Sequence, residues 1–514
     1  IVTGAADIEH ACGCTGDDSA EVAKIRAKRQ ARRRTAAQTD HAGRVKALLS
    51  QGINQDWTSG ANRVTFHVEN WLQQLDIAVA ETGEEAEVSP LYKTLPAIAS
   101  QNEEFLTRLK QAQFQLADFE FLRDQYLFAK TAAIIDAGDS TDPLLSDWLA
   151  GLTTGESPIS DEDAAQLRSA CRLFDWTIRN IRLEPAKLGF PPDLQPKPID
   201  LRATGMTLQG PGYRQRVVET LFRASGDGLQ RSRVFLNLCY QLGIEGCMLT
   251  VPVENSPGRI AYAPWMAAVR IADQLYLFDC NFGISPQAPN GEGIATLQQA
   301  RTDDAVLRRM TIQGFDRFQY GVDSKAIQQC VAMLDANSMF LAPRMKALQR
   351  AIDQSGKGPK FRVSRDVDAA AKRIDDVAGI AGVRLWEVPL LSQLYRMRIQ
   401  RAMRDDPILL KVLTTPWIML ESPNQDAQQL RDARWMHLTG RYENVDSLSG
   451  DSAGAIVKYV QLRKPEFEIE DLLIDTELQK EYGVRLVPGM KKSKHRVLLL
   501  EVQDTIRRTK QTGT

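Results

Sequence analysis

Apolar residues recur at three- and four-residue spacing along most of this chain, and this pattern predicts a predominantly helical protein. The pattern is clearest over residues 100–136, where large side chains form two rows. The rows are Phe105, Leu109, Ala112, Leu116, Phe119, Leu122 and Tyr126, and Phe114, Phe121 and Phe128. Two rows on one helix predict burial on more than one side. With further helices expected over residues 20–50 and 61–75, residues 18–150 are interpreted as a helical domain that follows a loose leader at residues 1–17.

The pattern changes in the middle of the chain, where two helices precede three strands. Ser160 is followed by three acidic residues, which predicts a capped helix that suits the positive end of the helix dipole and runs to Asn180. A second helix is expected between the turn at residues 226–228 and Gly243. The strands are predicted at Cys247–Val253, Trp265–Ile271 and Gln274–Asp279. Residues 272–273 suit a hairpin turn between the last two strands.

Residues 336–514 are interpreted as a mainly helical C-terminal domain that begins with a small β-α-β element. The members of that element are residues 361–363, a helix over 366–378 and residues 383–386. After Pro389 the pattern is mostly helical. The spacing Leu-x-Gly-x-Tyr at residues 438–442, placed inside a helix and followed by a helix at about 453–462, resembles one tetratricopeptide unit. Arrays of such units need about three repeats to bury their faces, so a single unit is only suggestive of that architecture.

Composition and charge restrict the classes of function that need to be considered. Hydrophobic residues make up 43% and charged residues 25% of the 514 positions, which are ordinary values for a globular chain of two or three domains. The net charge of −1 gives no overall attraction to nucleic acid, and no specific nucleic-acid partner is expected. Since no apolar run reaches about 18 residues, no transmembrane segment is expected.

A dense basic run lies in the first predicted helix. Its members are Lys24, Arg26, Lys28, Arg29, Arg32, Arg33 and Arg34. A solvated helix face explains such a run, and contact with an anionic partner or a membrane surface is the second interpretation. The sequence leaves both interpretations open.

The seven cysteines are scattered along the chain. Only Cys12 and Cys14 lie close together, and no second Cys or His pair completes a zinc site, so no metal is expected. No Gly-rich phosphate loop occurs either, and no cofactor is expected. Buried or idle thiols are the simplest interpretation, and a lipid-modified or disulfide-bonded Cys12 or Cys14 is the alternative. The start at Ile1 favours a processed, exported protein that is periplasmic or envelope-associated, while a cytoplasmic location stays open.

One stretch of the chain resembles the transglutaminase-like superfamily, which has a papain-type fold. Members of that family have a Gly-rich turn, a Cys that opens an apolar helix, Leu-Gly-Ile, a strand, a His-x-Trp-x-Glu-Val strand and a strand that ends in Asp. Here residues 226–244 resemble the turn and helix, residues 263–269 resemble the His-containing strand, and residues 275–279 resemble the last strand. The resemblance covers roughly residues 160–285 and implies a central α+β domain over residues 160–335, flanked by helical domains.

The residues that do the chemistry in that family are missing from this chain. The resemblance places the nucleophile position at Gly228 or Leu229 and the histidine position at Ala263, and only Asp279 is retained. Thiol catalysis needs a thiolate at a helix N-terminus and a His to move its proton. The five histidines of the chain are His10, His41, His67, His437 and His495. None lies between residues 68 and 436, so no change of register restores a local catalytic pair.

These observations favour a non-catalytic binding or scaffold protein with a degenerate transglutaminase-like domain. The combination of residues 174–181 with residues 275–279 also resembles large planctomycete proteins, which favours a cell-envelope assembly or a homo-oligomer with other proteins as partners. Trp265, Tyr276 and Asp279 are candidates for a retained cleft. The alternative is a cysteine-dependent hydrolase or acyltransferase with a displaced site, in which Cys239 or Cys247 acts with Asp279.

Overall fold

A computed structural model describes residues 39–50, 57–79, 89–95, 109–138, 143–155, 158–184, 210–311, 320–356, 360–405, 425–443 and 454–462. The helices in this part of the chain are α1 (His41–Ser50), α2 (Trp57–Gln74), α3 (Leu116–Asp136), α4 (Pro143–Thr154), α5 (Asp161–Asn180), α6 (Val217–Arg223), α7 (Gly228–Gln241), α8 (Leu297–Thr302), α9 (Asp304–Arg308), α10 (Ser338–Leu341), α11 (Pro343–Gln354), α12 (Val367–Asp375), α13 (Val388–Asp405) and α14 (Gln425–Leu438). The strands are β1 (Arg182–Leu183), β2 (Ser225–Gly226), β3 (Glu245–Ser256), β4 (Arg259–Ile271), β5 (Gln274–Phe278), β6 (Cys330–Leu334) and β7 (Ile380–Leu385). The structure is a mixed α+β fold that is 57% helical, which confirms the predicted predominance of helix.

A five-stranded mixed sheet has the strand order β5-β4-β3-β6-β7. Strands β3, β4 and β5 form an antiparallel meander, and β6 pairs antiparallel with β3 and parallel with β7. The three predicted strands are confirmed, although β3 and β4 are longer than predicted. Ala272, with φ of 50°, forms the predicted turn between β4 and β5.

The two faces of the sheet belong to two different hydrophobic cores. Tyr276 and Phe278 pack with α7, where the ring centroids of Phe235 and Phe278 are 5.1 Å apart. Leu275 and Leu277 lie in the second core together with residues of α12. Alternate residues of a strand point to opposite faces, and this alternation along β5 separates the two cores.

Local hydrogen bonds explain why the two central helices begin and end where the sequence predicts. The Ser160 hydroxyl accepts a bond from the backbone N–H of Asp163 at 3.0 Å and caps α5. The Asp227 carboxylate accepts a bond from the N–H of Gln230 at 2.9 Å and caps α7. At the other end of α7, Gly243 has a φ of 83°, which favours glycine. The predicted limits of both helices are confirmed.

The predicted helix over residues 100–136 is interrupted. Residues 109–110 are helical, residues 111–115 are not, and α3 starts at Leu116. The break is held by polar contacts, because Arg344 donates to the backbone oxygen of Gln111 at 2.8 Å and Asp118 accepts from the N–H of Gln115. Along α3, Phe119, Leu122 and Tyr126 of one row and Phe121 and Phe128 of the other are buried, as the double pattern predicts.

The predicted strand at residues 361–363 is wrong, because these residues belong to no strand. Their backbone N–H groups are satisfied by side chains instead: Arg362 donates to the Gln241 side chain and Val363 donates to the Gln349 side chain, both at 2.8 Å. The parallel partner of β7 is β6. The predicted division of the chain into domains stays a prediction. Strands β6 and β7 pair with each other across the predicted boundary between the central and C-terminal domains at residue 335.

The Leu-x-Gly-x-Tyr spacing does not lie inside a helix. Helix α14 ends at Leu438, Gly440 has a φ of 74°, and the N–H of Arg441 reaches back to the carbonyl of Met436 at 2.8 Å. A glycine with positive φ and such a reaching bond are typical of a helix end. The following helix is present at residues 455–462. Across the described ranges, none of the helices has both the length and the apolar content that crossing a bilayer requires.

Candidate functional site

The N-terminus of α7 lies against the segment that follows β5. Gly228 is the first residue of α7, and a Cβ atom added to it would lie 2.5 Å from Oδ1 of Asn281. A distance that short forces one of the two groups to move. Leu229, the other candidate for the nucleophile position, is buried in the hydrophobic core. Gly228, one of the two positions that the resemblance assigns to a catalytic cysteine, therefore has no room for a side chain unless Asn281 moves, and the other position is occupied by a leucine.

Asn281 is a buried amide without hydrogen bonds among the residues that the structure describes. Its side chain is 3% exposed, and neither Oδ1 nor Nδ2 has a partner there. A buried polar group without a partner is uncommon and destabilising. Asn281 therefore occupies the space above Gly228 at an energetic cost.

Asp279 is buried next to this point, with its carboxylate held by donors from three directions. One carboxylate oxygen accepts bonds from the N–H groups of Asn281 and Phe282 at 2.9 and 3.0 Å. The other accepts from the Tyr320 hydroxyl at 3.4 Å, and that hydroxyl accepts from Nε1 of Trp265 at 2.8 Å. Burial raises the pKa of Asp279 to about 6, and the N–H donors, Tyr320 and the Arg231 charge oppose that rise.

Arg231 lies one turn into α7 and contributes the positive charge of this cluster. Its guanidinium donates to the backbone oxygen of Ile178 at 3.0 Å, and its charge acts on both Asp279 and Cys280. Burial lowers the pKa of Arg231. The Cys280 thiol is hydrogen-bonded to Ser232, and burial raises its pKa to about 12. A neutral thiol is a poor nucleophile, so Cys280 is chemically quiet in this setting.

The histidine position falls on a fully buried alanine. Ala263 lies in β4 opposite Val251, and it offers no atom that exchanges a proton. The histidines of the described ranges contact other groups: Nδ1 of His41 lies 2.9 Å from Nδ1 of His67, and His437 packs against two tyrosines. Within the described ranges, the groups around the helix end are therefore an acid and an arginine, and no histidine accompanies them.

The residues predicted to line a retained cleft come together only in part. Trp265 and Asp279 meet through the Tyr320 hydroxyl. Tyr276 belongs to the other core and contacts Trp148, with ring centroids 6.3 Å apart. Trp265 and Tyr276 thus lie on opposite faces of the sheet, and the three residues do not line one surface.

Of the other cysteines of the described ranges, Cys239, Cys247 and Cys330 are buried and Cys171 is partly buried. Cys239 and Cys247 are fully buried, and burial raises the pKa of Cys247 to about 12 and that of Cys239 well above its usual value. Burial likewise raises the pKa values of Cys171 and Cys330 to about 12. These thiols stay protonated at neutral pH, which disfavours the displaced thiol site.

Sequence reasoning missed Tyr320 and Asn281. Asn281 lies two residues after Asp279 and is the first amide after the last strand, and this position is the only signal in the sequence. Its close contact with Gly228 is a contact between distant segments, which the sequence does not indicate. Tyr320 lies 41 residues beyond Asp279 and carries no local signal. The basic run at residues 24–34 and the pair Cys12 and Cys14 lie outside the described residues, and their roles stay predictions.

Within the part of the chain that the structure describes, no group of three or more His, Cys, Asp or Glu side chains is arranged to hold a metal ion. Comparison with known proteins found no family model, no curated protein and no solved structure that matches this chain.

Proposed function

We propose that this chain is a non-catalytic binding or scaffold protein whose central part is a degenerate transglutaminase-like domain. One observation carries the proposal: Gly228, at the N-terminus of α7, is packed against Asn281 so closely that a side chain does not fit there. The helix dipole lowers a thiol pKa only at this end of a helix. Leu229 also lies in the first turn but has no nucleophilic group, and a nucleophile further along α7 would lack that activation.

The order of elements supports the same proposal. Helix α7 is followed by the meander β3-β4-β5, and Asp279 comes directly after β5, as the resemblance implies. The carboxylate is engaged by two backbone N–H groups and by Tyr320, so its contacts hold the turn after β5 and the segment around Tyr320 together. Asp279 acts in this proposal as a structural residue of a former site.

Alkylation by iodoacetamide tests the proposal against the displaced thiol enzyme. In the folded protein near neutral pH, Cys239, Cys247 and Cys280 are expected to stay unlabelled over hours, because their thiols are buried and protonated. The same protein unfolded in urea is the control, in which all three are labelled within minutes. Peptide mapping by mass spectrometry identifies the labelled sites. Rapid labelling of one of them in the folded protein rejects the non-catalytic proposal.

The proposed partners are other proteins, in a cell-envelope assembly or a homo-oligomer. The proposed location in the cell envelope rests on the sequence resemblance alone.

A second contact, with an anionic surface, is proposed for the basic run at residues 24–34. Reversal of the charges of Arg32, Arg33 and Arg34 to Glu is expected to abolish co-sedimentation of the full chain with vesicles that contain phosphatidylserine. Unchanged co-sedimentation rejects the anionic-surface contact and leaves the thiol test unaffected.

A further inference from the structure

A cavity of about 330 Å³ lies between α3, α6, α7, α10 and α13. Its lining shares no residue with the cluster around Asp279, so it is a second place in the molecule where a ligand fits. Cavities that bind small molecules have volumes of roughly 300–1,000 Å³. The volume alone is therefore compatible with a small organic ligand, and the chemistry of the lining decides which kind.

Nine charged side chains contribute to the lining. The guanidinium groups are those of Arg216, Arg233, Arg344, Arg365 and Arg396, and the carboxylates are those of Asp118, Glu120, Asp124 and Asp335. Every carboxylate has an arginine partner: Asp118 pairs with Arg344 at 2.7 Å, Asp335 with Arg233 at 2.8 Å, Glu120 with Arg216 at 2.6 Å, and Asp124 with Arg123 at 3.0 Å. Arg396 lies 3.4 Å from Glu120 and 3.7 Å from Glu219. With the outer partners Arg123 and Glu219 included, six guanidinium groups face five carboxylates, which leaves one excess positive charge.

Arg365 is the guanidinium that carries this excess. Its terminal nitrogens donate to the backbone oxygens of Asp335 and Gly246 at 3.1 and 3.0 Å, and no carboxylate of the described residues lies within ion-pair distance. A guanidinium has five N–H donors, so three remain for a ligand. Its central carbon lies 5.5 Å from the centroid of the Tyr240 ring, which holds the group in place over an aromatic face.

The rest of the lining offers an amide and an aromatic wall. Asn237, on α7 between Arg233 and Tyr240, lines the cavity without a hydrogen-bond partner among the residues described. The rings of Tyr240, Phe340 and Phe121 contact one another edge to face, with centroids 5.2 and 5.0 Å apart. A ligand here meets a cation, a free amide and apolar rings in one cavity.

We propose that this cavity binds a small organic anion, with a carboxylate or phosphate group on Arg365 and an apolar ring or chain against the aromatic wall. Hydrogen bonds between a guanidinium and an anionic oxygen are among the strongest in proteins, and no carboxylate of the described residues competes for Arg365. The carboxylates in the lining are each neutralised by an arginine, so they do not repel an incoming anion as free charges would. The proposal goes beyond the proposed function, since it uses none of the residues of the former site.

Calorimetric titration of the full chain with three probes of one shape tests this proposal. Benzoate and phenyl phosphate carry the two anionic groups, and benzamide is the neutral counterpart of benzoate. We expect at least one of the two anions to bind at millimolar concentration, and benzamide to bind about tenfold more weakly or not at all. The tighter of the two anions identifies whether the site prefers a carboxylate or a phosphate.

Two variants connect the binding to the cavity. Arg365→Gln is expected to weaken anion binding at least about tenfold, while Arg362→Gln leaves it unchanged, because Arg362 also lies over the Tyr240 ring but does not line the cavity. Asn237→Leu replaces the amide of the lining with an apolar side chain and removes no side-chain hydrogen bond among the described residues, so it is expected to fold and to weaken anion binding even if Arg365→Gln misfolds. The proposal is overturned if neither anion binds the wild-type chain, if benzamide binds as tightly as benzoate, or if the folded Asn237→Leu variant binds normally.

Discussion

The Tyr320 hydroxyl donates a hydrogen bond to the buried carboxylate of Asp279 over 3.4 Å. The same hydroxyl accepts a bond from Nε1 of Trp265 at 2.8 Å. Tyr320 thus connects the two residues of the predicted cleft that lie near each other, and it comes from a segment 41 residues further along the chain. Its ring also packs against Phe282, with centroids 5.7 Å apart. Both carboxylate oxygens of Asp279 are therefore hydrogen-bonded to groups of the protein itself.

Tyr320→Phe removes the hydroxyl that joins Trp265 to Asp279. We expect this change to lower the free energy of unfolding by about 1–3 kcal/mol, because one oxygen of a buried carboxylate loses its donor. Urea unfolding followed by fluorescence measures the change. Tyr276→Phe is the control: Tyr276 is buried but makes no side-chain hydrogen bond among the described residues, and the change should alter the unfolding free energy by less than about 0.5 kcal/mol. Equal effects of the two variants would show that the bridge does not stabilise the fold.

Asp279 makes stability depend on pH in an unusual direction. Burial raises its pKa from 3.8 to about 6 in the folded protein, so between about pH 4 and pH 6 the folded state binds more protons than the unfolded state. The contribution of this group is fully present below pH 3.8 and is lost as the pH rises through about 6. The shift corresponds to about 3 kcal/mol.

Asp279→Asn isolates this contribution, because the amide oxygen still accepts from the N–H groups of Asn281 and Phe282 but does not ionise. The stability of the variant relative to the wild type should therefore rise by about 3 kcal/mol between pH 3.5 and pH 7.5. Denaturant unfolding at a series of pH values measures the difference. A difference that stays flat with pH would contradict the raised pKa of Asp279.

The buried pair of Arg344 and Asp118 joins α11 to the start of α3. Both side chains are at most 2% exposed, and two nitrogens of Arg344 meet the two carboxylate oxygens at 2.7 and 2.8 Å. Asp118→Ala leaves a buried guanidinium without its counter-ion, and we expect a loss of about 3–5 kcal/mol in the free energy of unfolding. Asp175→Ala breaks the exposed pair with Arg179 and should cost less than about 1 kcal/mol. Similar losses in both variants, measured by urea unfolding, would contradict the role of burial.

Patterns within single elements were sufficient to predict much of the central fold. Ser160 and Asp227 cap helices through bonds to residues three positions away, so the sequence contains both partners of each bond. The strands of the β3-β4-β5 meander were likewise visible in alternating side chains, and the turn at Ala272 joins neighbours in the chain.

Contacts between distant segments explain what could not be predicted. The break before α3 depends on Arg344, more than 200 residues away, and the loss of a strand at residues 361–363 depends on side chains of Gln241 and Gln349. At the candidate site, Asp279 is predicted from the family resemblance, which places an Asp at the end of the last strand. Tyr320 was not, because a single tyrosine carries no periodicity that points to its partner.

The contact between Gly228 and Asn281 gives the sharpest test of the former catalytic position. Gly228→Ala places a Cβ atom 2.5 Å from Oδ1 of Asn281, and we expect a loss of about 1–3 kcal/mol in the free energy of unfolding. Asn281→Gly removes the obstructing side chain, so Ala at position 228 should be tolerated in the double variant.

The double-mutant cycle of these two changes should give a coupling energy of at least about 1 kcal/mol, measured by urea unfolding at constant pH. Gly151→Ala is the control for the alanine itself, because nothing lies within 4 Å of its added Cβ on α4 and the change should stabilise the protein slightly. If Gly228→Ala is as stable as the wild type with Asn281 in place, the helix end has room for a side chain, and the observation that carries the non-catalytic proposal fails.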